Sequence, residues 1–129
     1  MFEQVRSTAT VPLKKLKAAY PWLPKSYLSF LSTTNGADAA LDIEPGWAVV
    51  WSAEDALTLS NQYGLPEYLP GYFAFGSNGG GELLVFPIDG IAGDRPVFMV
   101  PAVGMAISEL QQVAESFAQF AAHIGMNVD

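Results

Sequence analysis

A single histidine, His123, stands near the C-terminus of a 129-residue chain that has no cysteine. Histidine is the side chain best suited to acid–base work near neutral pH, yet nothing nearby in sequence offers it a nucleophile to activate. A place in the last turn of a helix instead suits a favourable interaction with the helix dipole. Asp42 and Glu44 are two residues apart, so on a strand they would share one face, where paired carboxylates can do acid–base work. Exposed strand carboxylates with no chemical task have the same spacing. The run Gly76-Ser77-Asn78-Gly79-Gly80-Gly81-Glu82 has the backbone freedom of a phosphate-binding loop. A P-loop, however, needs a lysine and a hydroxyl residue after its last glycine, then a helix. Here Glu82 and the β-type run Leu83-Leu84-Val85-Phe86 follow. Nor is Gly76-Ser77-Asn78-Gly79 a nucleophile elbow of the G-x-S-x-G type. With one histidine and no calcium-loop pattern, no metal set is recognisable. The expectation is a chain without catalytic residues, metal or cofactor.

The elements that hold these residues follow from periodicity and punctuation. Phe73 to Phe75 and Leu83 to Phe86 flank the glycine run and read as a hairpin at the centre of a sheet. Leu13, Leu16 and Tyr20 predict a helix over about Pro12 to Ala19, ended by Pro21. Pro24 starts a second helix with the apolar stripe Leu23, Tyr27, Phe30 and Leu31, closed by Asn35-Gly36. Leu41 to Trp51 reads as two short strands around Pro45-Gly46. Ser52 caps a third helix from Ala53 to about Tyr63, with Glu54 and Asp55 in its first turn. Further strands are expected within Arg95–Pro101 and at Met105–Ile107. Ser108 and Gln111 form a capping box for a long last helix, with Leu110, Val113, Ala114, Phe117, Phe120, Ala121 and Ile124 on one face. Consecutive strands with short connections imply an α+β fold. It is a mostly antiparallel sheet of about four to six strands with N-terminal, middle and C-terminal helices against it, in one domain over residues 1–129.

Half the residues are hydrophobic, which argues for a packed core rather than disorder. No apolar run reaches the ~20 residues of a membrane span, and the N-terminus lacks a signal-peptide core. The simplest location is the cytoplasm, export without a signal being the alternative. The net charge is −7, unevenly spread. Arg6, Lys14, Lys15, Lys17 and Lys25 against Glu3 give residues 1–25 a charge of +4. Residues 26–129 hold Arg95 against twelve acids, a charge of −11. An acidic body disfavours nucleic acid, whose phosphates need clustered Lys and Arg, and favours a basic partner. Solubility alone accounts for the same bias. The lysines of the first helix either solvate one face or touch an acidic patch on another copy, leaving a monomer or a weak homodimer. Candidate partner-binding residues are Asp38, Asp42 and Glu44 in the first strand region, and Glu82 and Asp89 around the central hairpin. Trp47 and Trp51, four apart on one strand face, are the candidate anchors, a role in which tryptophan is enriched.

Several of these patterns occur together and in order. Leu23-Pro24-x-x-Tyr27-x-x-Phe30-Leu31 runs into Asn35-Gly36. A tryptophan-bearing strand and a helix ending near Tyr63 follow. Then come Phe75-Gly76-Ser77-Asn78-Gly79-Gly80-Gly81-Glu82, a strand to Asp89, and Pro96-Val97. Over about residues 20–100 this resembles the SMI1/KNR4 family of the SUKH superfamily. Asn78 and Glu82 stand where that family commonly has aspartate. The resemblance implies an α+β, non-enzymatic binding domain. Bacterial members are similar to immunity proteins that bind and block a cognate toxin domain, often a nuclease, of contact-dependent or polymorphic toxin systems. The alternative it implies is a regulatory scaffold that binds several host proteins, as in fungal relatives.

Overall fold

A proline or a serine cap starts most helices of this chain, and a left-handed Asn35 stops one of them. The computed structural model describes residues 12–88 and 94–125. Helix α1 covers residues 12–19 and stops before Pro21. Pro24, with φ −61°, precedes α2 (Lys25–Thr34), which ends on Asn35 in the left-handed conformation at φ 48°. The Asn35 side chain then accepts a hydrogen bond from the Ala53 amide at 3.0 Å, tying that turn to α3 (Ala53–Gln62). Ser52 caps α3 by accepting from the Asp55 amide, with Glu54 and Asp55 at the positive end of the helix dipole. A single turn, α4 (Leu65–Tyr68), follows Gly64.

Six strands form one sheet: β1 (Ala37–Ala40), β2 (Trp47–Val50), β3 (Tyr72–Ser77), β4 (Glu82–Pro87), β5 (Val97–Pro101) and β6 (Gln111–Ala114). Their spatial order is their chain order, and every neighbouring pair is antiparallel. The expected α+β arrangement, with β3 and β4 at the centre, is the observed one. Side chains alternate across each strand. Phe73, Phe75, Leu84 and Phe86 enter the main core, under Leu16, Tyr27, Leu31 and the α5 (Phe117–Ala122) residues Phe117 and Phe120. Ala74, Leu83 and Val85 face the other way, into a second cluster with Trp51, Leu65, Leu69 and Val100. The central hairpin is therefore buried on both faces. Phe75 is an extra residue in a bulge between Ala74 and Gly76, and such bulges bend a strand and increase its twist. Beside it, β2 passes so close that a Cβ on Gly76 would lie 2.2 Å from the Val49 carbonyl oxygen.

Three expectations are corrected. The first strand is Ala37–Ala40, not a strand beginning at Leu41, so residues 41–46 are the turn. Its Glu44–Pro45 peptide is cis. Residues 107–109 are a 3-10 turn, not a strand. The last helix is Phe117–Ala122 only. Gln111–Ala114, expected in its first turns, pairs with β5 through Met99↔Gln111, Phe98↔Gln112 and Val97↔Ala114. The true cap is Ser116, which accepts from the Gln119 amide at 3.0 Å, while Gln119 Oε1 accepts from the Glu115 amide at 2.7 Å. Two Ser-x-x-Gln signals compete in this segment, and strand pairing with β5 decides for the second. Among the described residues, no helix is long and apolar enough to cross a membrane.

Candidate protein-binding surface

An up-and-down sheet places alternate turns at the same end. The β1–β2 turn (residues 41–46), the β3–β4 loop (78–81) and the β5–β6 connection (102–110) therefore gather at one end of the molecule. Two contacts join them. The Ala102 amide donates to the Gly81 carbonyl at 3.0 Å, and Gly79 lies so near Trp47 that a Cβ there would sit 3.4 Å from its Cδ1.

Trp47 is the exposed aromatic ring of this end. It begins β2 with 43% of its surface exposed. Its Nε1–H donates to Asp38 Oδ1 at 2.7 Å. The β1–β2 register pairs Asp38 with Val49 and Ala40 with Trp47, so Asp38 and Trp47 are diagonal neighbours on one face, within reach of long side chains. The hydrogen bond fixes the indole while leaving much of the ring in water, an amphipathic arrangement suited to an interface.

The glycine loop beside it is held by its own side chains. Asn78 Oδ1 accepts from the Gly80 and Glu82 amides at 2.8 and 3.2 Å. Asn78 Nδ2 donates to Glu82 Oε1 at 2.9 Å, and the Gly79 amide donates to Ser77 Oγ at 3.1 Å. Gly79 and Gly81, at φ 80° and 131°, allow this closure. The amides of Gly79, Gly80 and Glu82 are thus already used, a second reason beside the missing lysine why this is not a phosphate cradle. Glu82 is half-buried, with one carboxylate oxygen held by Asn78.

The remaining expected residues separate. Asp42 and Glu44 lie in the turn, not on a common strand face, because β1 ends at Ala40. Asp42 turns towards α5. Its Oδ1 lies 2.6 Å from His123 Nδ1, its amide donates to the His123 carbonyl at 3.3 Å, and the Gly125 amide donates to Ala40 O at 2.7 Å. His123 is therefore a clasp between the C-terminal helix and the β1–β2 turn. Among the described residues nothing else bonds to its ring, so no nucleophile completes a triad. Glu44 is exposed. Trp51 lies just past β2, which ends at Val50, and packs into the second cluster with Val49, the neighbour of Trp47 on that face. It is 8% exposed and stacks on Tyr63, with centroids 5.9 Å apart and planes 5° apart; packing is its role here. Asp89 lies outside the described residues. Among those described, no group of three or more His, Asp or Glu could hold a metal ion.

Sequence reasoning missed three members of this end. Val103 is 91% exposed, Ile107 is 59% exposed, and Glu109 is exposed beside them. Reading Met105–Ile107 as a strand hid them, although Gly104, at φ 79°, marks a turn. The end thus combines Asp38, Asp42, Glu44, Glu82 and Glu109 with Trp47, Val103 and Ile107. No lysine occurs after residue 25, and Arg95, the only arginine there, is 3% exposed. Its Nε donates to Pro87 O at 3.2 Å and its Nη2 to Trp22 O at 3.3 Å. The one basic residue of the body is spent inside, pinning β4 to the segment before α2.

No curated protein matches the chain significantly. The model of the SMI1 / KNR4 family (SUKH-1) matches residues 13–123, from α1 through the His123 clasp. That span takes in the proline-started α2, the central hairpin and the glycine loop, and the chain belongs to the SMI1/KNR4 family (SUKH-1).

Proposed function

We propose that this chain is a non-enzymatic, cytoplasmic immunity-type protein that binds and neutralises a cognate toxin domain with a basic active site, such as a nuclease. Family membership supports a binding domain of this kind. The single observation that carries the reading is the acidic sheet end with Trp47 held by Asp38. A nuclease site attracts phosphates with lysine and arginine, and a surface of carboxylates offers it the same charge without a bond to cleave. Trp47 supplies an exposed aromatic anchor to be buried on binding, and the closed glycine loop presents a rigid rim, which lowers the ordering cost of binding.

The test begins with tagged protein and capture of its partner from the source cell at moderate salt. The captured partner is then expressed alone and together with this chain. One stoichiometric partner, toxic alone and harmless in co-expression, is the expected result, with neutralisation lost in Trp47→Ala and in Asp38→Lys. Several substoichiometric partners, or toxicity unchanged by co-expression, overturn the proposal.

A further inference from the structure

The basic corner of the molecule forms a groove that the proposed toxin-binding end does not use. Leu13 and Lys17 lie one turn apart on α1, and Lys25, Leu28, Ser29 and Ser32 follow i, i+3, i+4, i+7 on α2. Together they line a trough of about 350 Å³. Leu13 and Leu28 pack their inner sides on the main core and form the floor. Lys17 and Lys25 are exposed. Among the described residues, none of Lys14, Lys15, Lys17 and Lys25 makes an ion pair. Ser32 Oγ donates to the Ser29 carbonyl at 2.8 Å, whereas the Ser29 hydroxyl has no hydrogen bond among the described residues and is a free donor.

We infer that this groove is a second docking site, for a short acidic segment of a partner protein that carries a leucine-sized side chain between its carboxylates. Charge complementarity selects the acid: Lys17 and Lys25, two of the chain's four lysines, line the groove, and among the described residues no carboxylate does. The floor selects the apolar residue, because carboxylates alone would leave Leu13 and Leu28 wet. The acidic body selects a short segment. A long polyanion such as nucleic acid, or an anionic membrane, would run beyond the groove onto the rest of a body whose residues 26–129 carry a charge of −11, a repulsion felt within a Debye length of about 8–10 Å. Lysine and serine donors also lack the planar fork by which arginine holds phosphate.

The probe is an acetylated, amidated heptapeptide, Glu-Glu-Leu-Glu-Glu-Leu-Glu, titrated into the isotopically labelled full chain and followed by amide NMR shifts. Saturable shifts at Lys17, Lys25, Leu28, Ser29 and Ser32 are expected. The double variant Lys17→Glu/Lys25→Glu should bind about tenfold more weakly or worse, with its other resonances in place as the control for folding. A serine-for-leucine peptide should bind more weakly than the parent. Three results overturn the inference: no saturable shifts in the groove at millimolar peptide, shifts that persist in the double variant, or equal binding of the serine peptide. Broadening of the groove resonances with protein concentration in the absence of peptide also overturns it, in favour of a second copy as the occupant.

Discussion

Tyr27 is fully buried among Phe86 and Phe117 at 5.3 Å and Phe75 at 5.9 Å. Its hydroxyl has no hydrogen-bond partner among the described residues. A buried, unsatisfied hydroxyl costs about 1–3 kcal/mol, so Tyr27→Phe should raise stability to urea by about 1 kcal/mol. Burial also pushes the Tyr27 phenol well above its ordinary range. The unfolded chain then loses this proton near pH 10 while the folded chain keeps it. Stability must therefore fall as pH rises past about 10, by about 1.4 kcal/mol per unit. Tyr27→Phe lacks this limb, so the gap between the variant and the parent should widen with alkalinity. A variant less stable than the parent would show that the hydroxyl has a partner, and a constant gap that the phenol ionises as freely in the folded chain as in the unfolded one. Asn78 gives the opposite lesson about a polar side chain. Its amide both accepts from two backbone amides and donates to Glu82. An aspartate, common at this position in the family, supplies the acceptors but sets a carboxylate against Glu82. Asn78→Asp should cost about 1–2 kcal/mol, and Glu82→Gln in the same chain should recover most of it by restoring a donor. A double variant no more stable than the single one would sink this account.

Elements were legible where local punctuation and tertiary pairing agree. Pro24 and Asn35 bound α2, Ser52 starts α3, and glycines separate β3 from β4, each as their residue types demand. The candidate site was legible only in part. Trp47, Asp38 and Glu82 stood out by type, but Val103 and Ile107 were exposed by the position of β6, which a period of 3.6 had disguised. Leu110, Val113, Ala114 and Phe117 satisfy a helical stripe, yet Val113 and Ala114 belong to a strand and only Phe117 to the helix. Local periodicity cannot see that β5 offers an unpaired edge. Nor can it see Asp94. This carboxylate accepts from the Arg95 amide at 2.8 Å and from the Phe117 and Ala118 amides at 3.0 Å each, so it fixes where α5 begins from twenty-odd residues upstream. Asp94→Ala should cost about 2 kcal/mol and speed hydrogen exchange at Phe117 and Ala118 before the rest of the chain. Uniform exchange with a loss below about 0.5 kcal/mol would mean that Ser116 alone suffices.

Charge separation at the scale of the molecule was plain in the sequence, +4 over residues 1–25 and −11 over the remainder. Its geometry was not, because which carboxylates meet depends on a six-strand meander folding its odd-to-even turns to one end. Burial sharpens the asymmetry further: Arg95 is withdrawn from the surface, so among the described residues no lysine or arginine after residue 25 interrupts the acidic end. Such a field acts mainly on encounter, since opposite charge speeds association far more than it strengthens the final complex. With the partner in hand, association measured by stopped flow should slow about tenfold or more between low and moderately high salt, with dissociation changing little. Glu44→Lys/Glu109→Lys alters two exposed carboxylates of this end without touching the Trp47–Asp38 bond. It should reduce the rate at low salt and flatten its salt dependence, leaving dissociation close to the parent's. Trp47→Ala should do the reverse, raising dissociation while the salt dependence of association stays steep. If both variants changed only dissociation, the carboxylates would be contacts rather than a steering field. If the parent's association rate ignored salt altogether, the acidic end would not be the surface that meets the partner.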